Sequence, residues 1–371
     1  MATFIRATLS LSLILSLSLT SVAQQSTETE PVSDHQQMVG RAIEFLRTRQ
    51  NEDGSYLVAA GPGVTALVTT GILRHGRSVE DPLVSRSLNY LESLVQPTGG
   101  IHRPETLYRN YETCLAMMCF AEANQDGRYD ETLKRAQKFV TSIQWDTSEG
   151  KSQSDPAYGG AGYGKHSRPD LSNTSFLVDA LHAVGNDADS EAIQRALVFV
   201  SRCQNLESVD NTTPFSDKIN DGGFYYTPAA GGTSQAGETA NGGLRSYGSM
   251  TYAGLKSMIF AGVDAGDPRV KAATDWIRKH YDLSTNPGMG NAGLFYYYHT
   301  FAKALDTLGF AEFVDQDGNS HDWRSELNQE LAGKQRADGS WINQNERWLE
   351  GNPELVTGYV LLALSYSEPS R

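Results

Sequence analysis

Apolar residues recur along this chain at helical spacing, and the recurrence itself repeats. In Arg41-Ala42-Ile43-Glu44-Phe45-Leu46-Arg47-Thr48-Arg49-Gln50 a small residue is followed by an aromatic at +3, an aliphatic at +4 and a glutamine at +8. Ser87/Tyr90/Leu91/Gln96 repeats the pattern with its glutamine one place late, and Ala136/Phe139/Val140/Gln144 and Ala196/Phe199/Val200/Gln204 repeat it in full. A fifth copy, Ala273/Trp276/Ile277, has Tyr281 in the glutamine place, and a worn sixth keeps Leu331 and Gln335. Spacings of three and four put the apolar groups on one helix face. A glycine-rich turn follows each helix and carries one apolar side chain: Tyr56, Ile101, Tyr163, Phe224, Phe295 or Trp341.

A second helix is predicted after every turn. These six also match one another, each with a threonine near its start: Thr65, Thr113, Thr174, Thr251, Thr300 and Thr357. Runs such as Val360-Leu361-Leu362-Ala363-Leu364 are apolar nearly all round, as in helices buried on most sides. Six hairpins of amphipathic and buried helices predict an all-α, α6/α6 toroid, with an inner ring of six helices inside an outer ring of six. An open solenoid would need polar capping repeats, and neither end has one. The longest insertions, roughly 145 to 160 and 205 to 242, are loops rich in Gly, Ser, Asn and Asp.

The ending Gln335-Arg336-Ala337-Asp338-Gly339-Ser340-Trp341 and the fuller first copy resemble the glutamine–tryptophan repeat of squalene and hopene cyclases. The resemblance extends to the wider superfamily that includes the β subunits of protein prenyltransferases, and covers about residues 38 to 366. It implies the toroid and an isoprenoid-like ligand, but the catalytic motifs are missing. The cyclases protonate their substrate through an Asp-x-Asp-Asp motif, whereas Asp315-Gln316-Asp317-Gly318 breaks off at glycine. The prenyltransferases bind zinc through Asp-x-Cys and a His before a Thr. Tyr298-His299-Thr300 resembles the histidine portion, but Tyr247 and Ser249 stand where the Asp and Cys belong. One histidine cannot hold the ion, so neither a metal nor a cofactor is expected.

Before residue 38 the pattern changes. Arg6, an apolar stretch from Leu9 to Leu19 and the small residues Ser21-Val22-Ala23 read as a secretory signal peptide over 1–23, cut before Gln24. Residues 24–37 read as a flexible polar linker and 38–371 as the toroid. Export to a periplasmic, cell-surface or extracellular location is expected, with no integral membrane span after cleavage. The formal charge of −13 argues against nucleic acid as a partner. Three cysteines, Cys114, Cys119 and Cys203, are too few for a disulfide framework and read as small buried hydrophobes. The segments Asp315 to Asn319 and Asn124 to Gly127 read as acidic turns rather than complete calcium loops.

If every inner helix begins on the same face, six helix N-termini surround one mouth. Residues at or before the repeated threonines are then the pocket candidates: Tyr111, Glu112, Asp170, Asn173, Arg245, Tyr247, Tyr298 and His299. The competing reading is that Asp170 and Asn173 cap a helix, His299 is a hydrogen-bonded core residue and the tyrosines fill the centre. Of Tyr296-Tyr297-Tyr298, either all line a wall or one is buried beside two on the surface. Three functions remain open. The first is an exported binder of a small hydrophobic ligand, a peptide or a glycan. The second is a cyclase- or transferase-like enzyme whose aromatic rings steady carbocations. The third is a carbohydrate-active enzyme on a helical toroid.

Overall fold

The computed structural model describes residues 34–164 and 168–368. Twelve α-helices account for nearly all of the regular structure among them. The outer helices are α1 (Asp34–Arg49), α3 (Pro82–Glu92), α5 (Asp130–Ser142), α7 (Glu191–Arg202), α9 (Pro268–Lys279) and α11 (Trp323–Lys334). The inner helices are α2 (Pro62–Arg74), α4 (Arg109–Ala123), α6 (Leu171–Ala183), α8 (Gly248–Phe260), α10 (Leu294–Thr307) and α12 (Pro353–Tyr366). One short antiparallel hairpin, β1 (Phe313–Val314) and β2 (Ser320–His321), stands before α11. Its turn carries Asp315, whose carboxylate accepts from the Asp317 and Asn319 backbones, so this segment is a self-satisfied acidic turn.

Each inner helix packs on the next, and α12 returns to α2, which closes the ring. Helix α2 is buried at every position from Pro62 to Leu73, whereas α5 buries only Leu133, Ala136 and Val140. The closure relies on two glycines. A Cβ on Gly358 would meet Leu67 Cδ2 at 2.5 Å, and one on Gly71 would meet Leu361 Cβ at 2.8 Å. Any side chain at either place would force α2 and α12 apart.

The repeated residues of the sequence are the fasteners of this ring. Gln50 Nε2 donates to Gly54 O of its own turn and to Leu83 O at the start of α3. Gln144 does the same to Gly159 O and Ala192 O, and Gln204 to Gly222 O and Arg269 O. Gln335 donates to Gly339 O and to Met38 O, and so joins the last repeat to α1. Tyr281, in the glutamine place of the fifth repeat, reaches Glu326 in the first turn of α11 at 2.8 Å. Gln96, one place late, bonds only Leu94 O and His102 O of its own turn, while Arg135 of α5 reaches back to Gln96 O and Pro97 O.

The threonines have a matching role. Thr65, Thr113, Thr251 and Thr357 Oγ1 accept from the backbone N–H of Tyr56, Ile101, Phe224 and Trp341, the turn residues expected from the pattern. Two assignments are corrected. In the third repeat Thr174 accepts from Ala161, and Tyr163 lies beyond it. In the fifth, Thr300 sits too far along α10 and donates to Tyr297 O of its own helix, and Phe295 belongs to α10 itself.

The described chain also begins earlier than expected. Helix α1 starts at Asp34, and His35 Nε2 is 3.2 Å from Leu364 O, so the end of the segment read as linker belongs to the ring. Residues 1–23, read from the sequence as a signal peptide, and residues 24–33 lie outside the described residues. No described helix is long and apolar enough to cross a membrane. The three cysteines are free and buried, as small hydrophobes should be.

Candidate functional site

All six inner helices open on one face, and a cavity of about 450 Å³ lies among their starts. That is within the range of about 300–1,000 Å³ usual for small-molecule sites. Its walls come from the first two turns of the inner helices: Tyr111 of α4, Ser172 and Phe176 of α6, Ser249 and Met250 of α8, Tyr296 of α10, Leu355 and Tyr359 of α12. Helix α2 contributes through Ala59 and Ala60, in the 3₁₀ turn before it. Loops complete the rim with Arg103, Tyr108, Tyr163, Tyr226, Gln235, Tyr247 and the segment Trp348 to Glu350. Trp348 and Leu349 hold left-handed backbone, φ 57° and 67°, that seldom suits such bulky residues.

Nine of the lining side chains are aromatic. Their rings meet largely edge to face: Tyr111 on Phe176 at 5.5 Å, Tyr111 on Tyr163 at 6.0 Å and Tyr108 on Tyr163 at 5.2 Å. One hydroxyl bonds to the wall itself: Tyr296 pairs with Ser172 at 2.9 Å. Desolvation raises the wall phenols, Tyr111 to about 12. The bowl therefore offers ring faces and edges, with Arg103 and Glu350 as its charged lining residues among those described. Glu350 is fully buried and accepts from the Phe295 and Tyr296 backbones, which caps α10.

The eight residues picked from the sequence fall into five places. Tyr111 and Tyr247 line the bowl. Glu112, Asp170 and Asn173 are buried behind its wall. Glu112 accepts from Arg103 N and Thr106 Oγ1, both at 3.0 Å, and so fixes the loop that presents Arg103 and Tyr108. Asp170 caps α6 by accepting from Asn173 N at 2.9 Å; burial nevertheless pushes its carboxyl up to about 6. Asn173 Nδ2 donates to Asp170 at 2.9 Å, which makes this pair the helix cap of the competing reading.

Arg245 is exposed on a loop and donates to Glu238 O, away from the bowl. The expectation that it joins the pocket is corrected: it precedes α8 by three residues and so lies outside the ring of helix starts. Tyr298 is also corrected. Its hydroxyl donates to Leu283 O at 2.7 Å and lies 3.3 Å from Glu330 of α11, on the outer side of α10. His299 lies below the bowl, deeper along the axis. Of the three consecutive tyrosines only Tyr296 faces the cavity, and the other two are fully buried rather than on the surface.

Phe176 and Tyr359 were missed, although a signal existed: each lies two residues after a repeated threonine, which the helical turn carries to the lumen. Tyr108, Tyr163, Tyr226 and Trp348 had none, since loop folding alone brings them to the rim. Among the described residues no group of three or more His, Cys, Asp or Glu side chains is placed to hold a metal ion.

No protein-family model matches the sequence, and neither does any curated protein. Solved structures do match in shape. A family 88 glycosyl hydrolase from Bacteroides vulgatus superposes with a TM-score of 0.54 at 10% identity, over 90% of this chain and 99% of that one. A family 76 glycoside hydrolase (mannosidase) from Bacteroides thetaiotaomicron gives 0.53 at 10% identity, over 89% and 97%. A type II terpene cyclase from Scytonema matches over 90% and 97% at 14% identity, but its TM-score of 0.33 carries no argument. The α/α toroid implied by the repeats is thus the fold that this chain shares with known structures. At such identities the likeness reaches no further than the fold.

Proposed function

We propose that this protein binds a small hydrophobic, isoprenoid-like molecule in the aromatic bowl. The observation that carries the reading is the wall itself: nine aromatic side chains around about 450 Å³, with the Tyr296 hydroxyl turned to Ser172 of the same wall. Such a wall gains from burying apolar surface and has few free polar groups for a sugar or a peptide backbone. Neither the acid motif of a cyclase nor the zinc ligands of a prenyltransferase accompany it, which favours binding over those chemistries. The pattern of residues 1–23 supports export, so the binder would act outside the cytoplasm.

Calorimetric titration with farnesol, a neutral isoprenoid alcohol, tests the reading. Saturable one-to-one binding that weakens at least tenfold in Tyr247→Ala supports it. Absence of binding by farnesol and by its carboxylic acid alike, or binding that ignores the bowl substitution, overturns it.

A second reading, glycan hydrolysis, draws on one feature. The Asp170 carboxyl, held near 6 behind Tyr226, has the protonation range of a general acid. Turnover of a glycan panel that vanishes in Asp170→Asn would establish it in place of the first.

A further inference from the structure

On the axis below the bowl lies a charge cluster that the fold alone does not require. Lys256 of α8 reaches Ser175 Oγ at 2.8 Å and Asp179 Oδ1 at 2.5 Å. Lys303 of α10 reaches the other carboxylate oxygen, Asp179 Oδ2, at 2.7 Å. Asp179, Lys256 and Lys303 are 4%, 3% and 8% exposed. Two ammonium groups against one carboxylate leave one positive charge over. The neighbouring pair, Arg74 and Glu122 at 2.9 Å, is neutral in itself and offsets none of the excess.

A buried charge without a counter-charge is unfavourable, and the amines register it. Burial, reinforced by the second ammonium, brings Lys256 down to about 8, and Lys303 also falls below its ordinary value. Asp179, despite its burial, is held down at about 2 by the pair. His299, 5% exposed, brings an unpartnered Nδ1 to the same place. Burial, with Lys303 beside it, keeps that imidazole neutral, so one ring nitrogen has a proton to donate.

Two voids of about 10 and 20 Å³ adjoin these groups, and His299 and Lys303 line both. Each has room for an atom or two of the size of water oxygen. Phe176 lines both voids and the bowl above, and Tyr296 lines the bowl and the smaller void. Those two rings form the partition. Phe176 is held by ring contacts alone, edge to face with Tyr111 at 5.5 Å and tilted against Tyr296 at 6.2 Å between centroids, so its rotation breaks no hydrogen bond.

We propose that the bowl's ligand is an amphiphile ended by a single carboxylate, whose head passes Phe176 and seats against Lys303, Lys256 and His299. The proposal rests on reading the bowl as a site for an apolar body, and adds the head. One surplus positive charge calls for a monoanion; a dianion would reverse the imbalance. Ammonium and imidazole N–H groups are the donors that a carboxylate takes in charge-assisted hydrogen bonds. Water in the voids would satisfy His299 but would leave the charge unbalanced.

A matched pair of probes, farnesol and farnesoic acid, tests this on the full chain at pH 7. The acid should bind at least tenfold more tightly than the alcohol. Lys303→Met should bring the ratio to about one, and Lys303→Arg should keep most of it. Lys303→Met leaves the one-to-one Lys256–Asp179 pair, so the barrel retains a neutral core. Equal affinities in the unaltered protein, or a preference that survives Lys303→Met, overturn the head site while the bowl reading stands. Failure of both probes to bind overturns the two together.

Discussion

Replacing Gln144 by methionine, which has nearly its size and shape but no amide, tests whether the repeated glutamine holds neighbouring hairpins together. Gln144 is fully buried, and its Nε2 donates to Gly159 O at 2.8 Å and to Ala192 O at 3.0 Å, bridging its own turn and the first turn of α7. Each lost bond is worth about 0.5–1.5 kcal/mol net, and a buried acceptor left without a donor adds about 1–3 kcal/mol. The expected destabilisation is therefore about 2–6 kcal/mol. Unfolding entropy of about 2.1 cal/mol/K per residue, summed over this ring, converts that to a melting point lower by about 3–9 °C. Gln96→Met is the internal control. Gln96 is half-buried and bonds only within its own turn, so water replaces much of what is lost and the change should stay under about 1 kcal/mol. Differential scanning calorimetry of the two variants beside the parent decides. If Gln144→Met melts within about 1 °C of the parent, or Gln96→Met falls as far, the fastener argument is wrong.

Gly159 and Gly185 share φ of 83°, but a Cβ on the first would lie 1.8 Å from Arg195 O while the second has nothing within 4 Å. Gly185→Ala should thus show only backbone strain, about 1 kcal/mol by urea unfolding, and Gly159→Ala at least twice that; equal costs would refute the close-packed turn. Asp170, raised from 3.8 to about 6, binds a proton in the folded state that the unfolded chain has released. Its contribution is present below about pH 4 and is lost as pH rises to about 6, by up to about 3 kcal/mol. Asp170→Asn keeps a competent helix cap, so urea midpoints from pH 4 to 7 should lose that slope, and an unchanged slope would reject the assignment. Arg245→Ala should leave farnesol affinity within twofold, because the side chain lies outside the bowl. A tenfold loss in the same titration would return Arg245 to the site.

The sequence by itself determined the ring. Hydrophobic spacing within a helix is a local property, and a fastener used in nearly every repeat leaves a periodic trace. Gln50, Gln144, Gln204 and Gln335, with Thr65, Thr113, Thr251 and Thr357, were legible for that reason, and each proved to join segments the repeat brings together. The direction of the inner helices followed too, and with it Tyr111 and Tyr247 at the mouth. Where a repeat departs from register the same reasoning misplaced residues. Thr300 lies too far along α10, so Tyr298 was sent to the mouth although its hydroxyl faces α11.

Tertiary structure decided what the ring encloses. Tyr108, Tyr163, Tyr226 and Trp348 come from loops of unequal length, and loop paths follow no period. The cluster of Asp179, Lys256 and Lys303 was hidden for a different reason. Its members sit singly on α6, α8 and α10, where each is one of several polar residues on a mostly buried helix and no spacing sets it apart. Only closure of the ring brings the two amines onto one carboxylate, because a charge balance belongs to neighbours in space and not to neighbours along the chain.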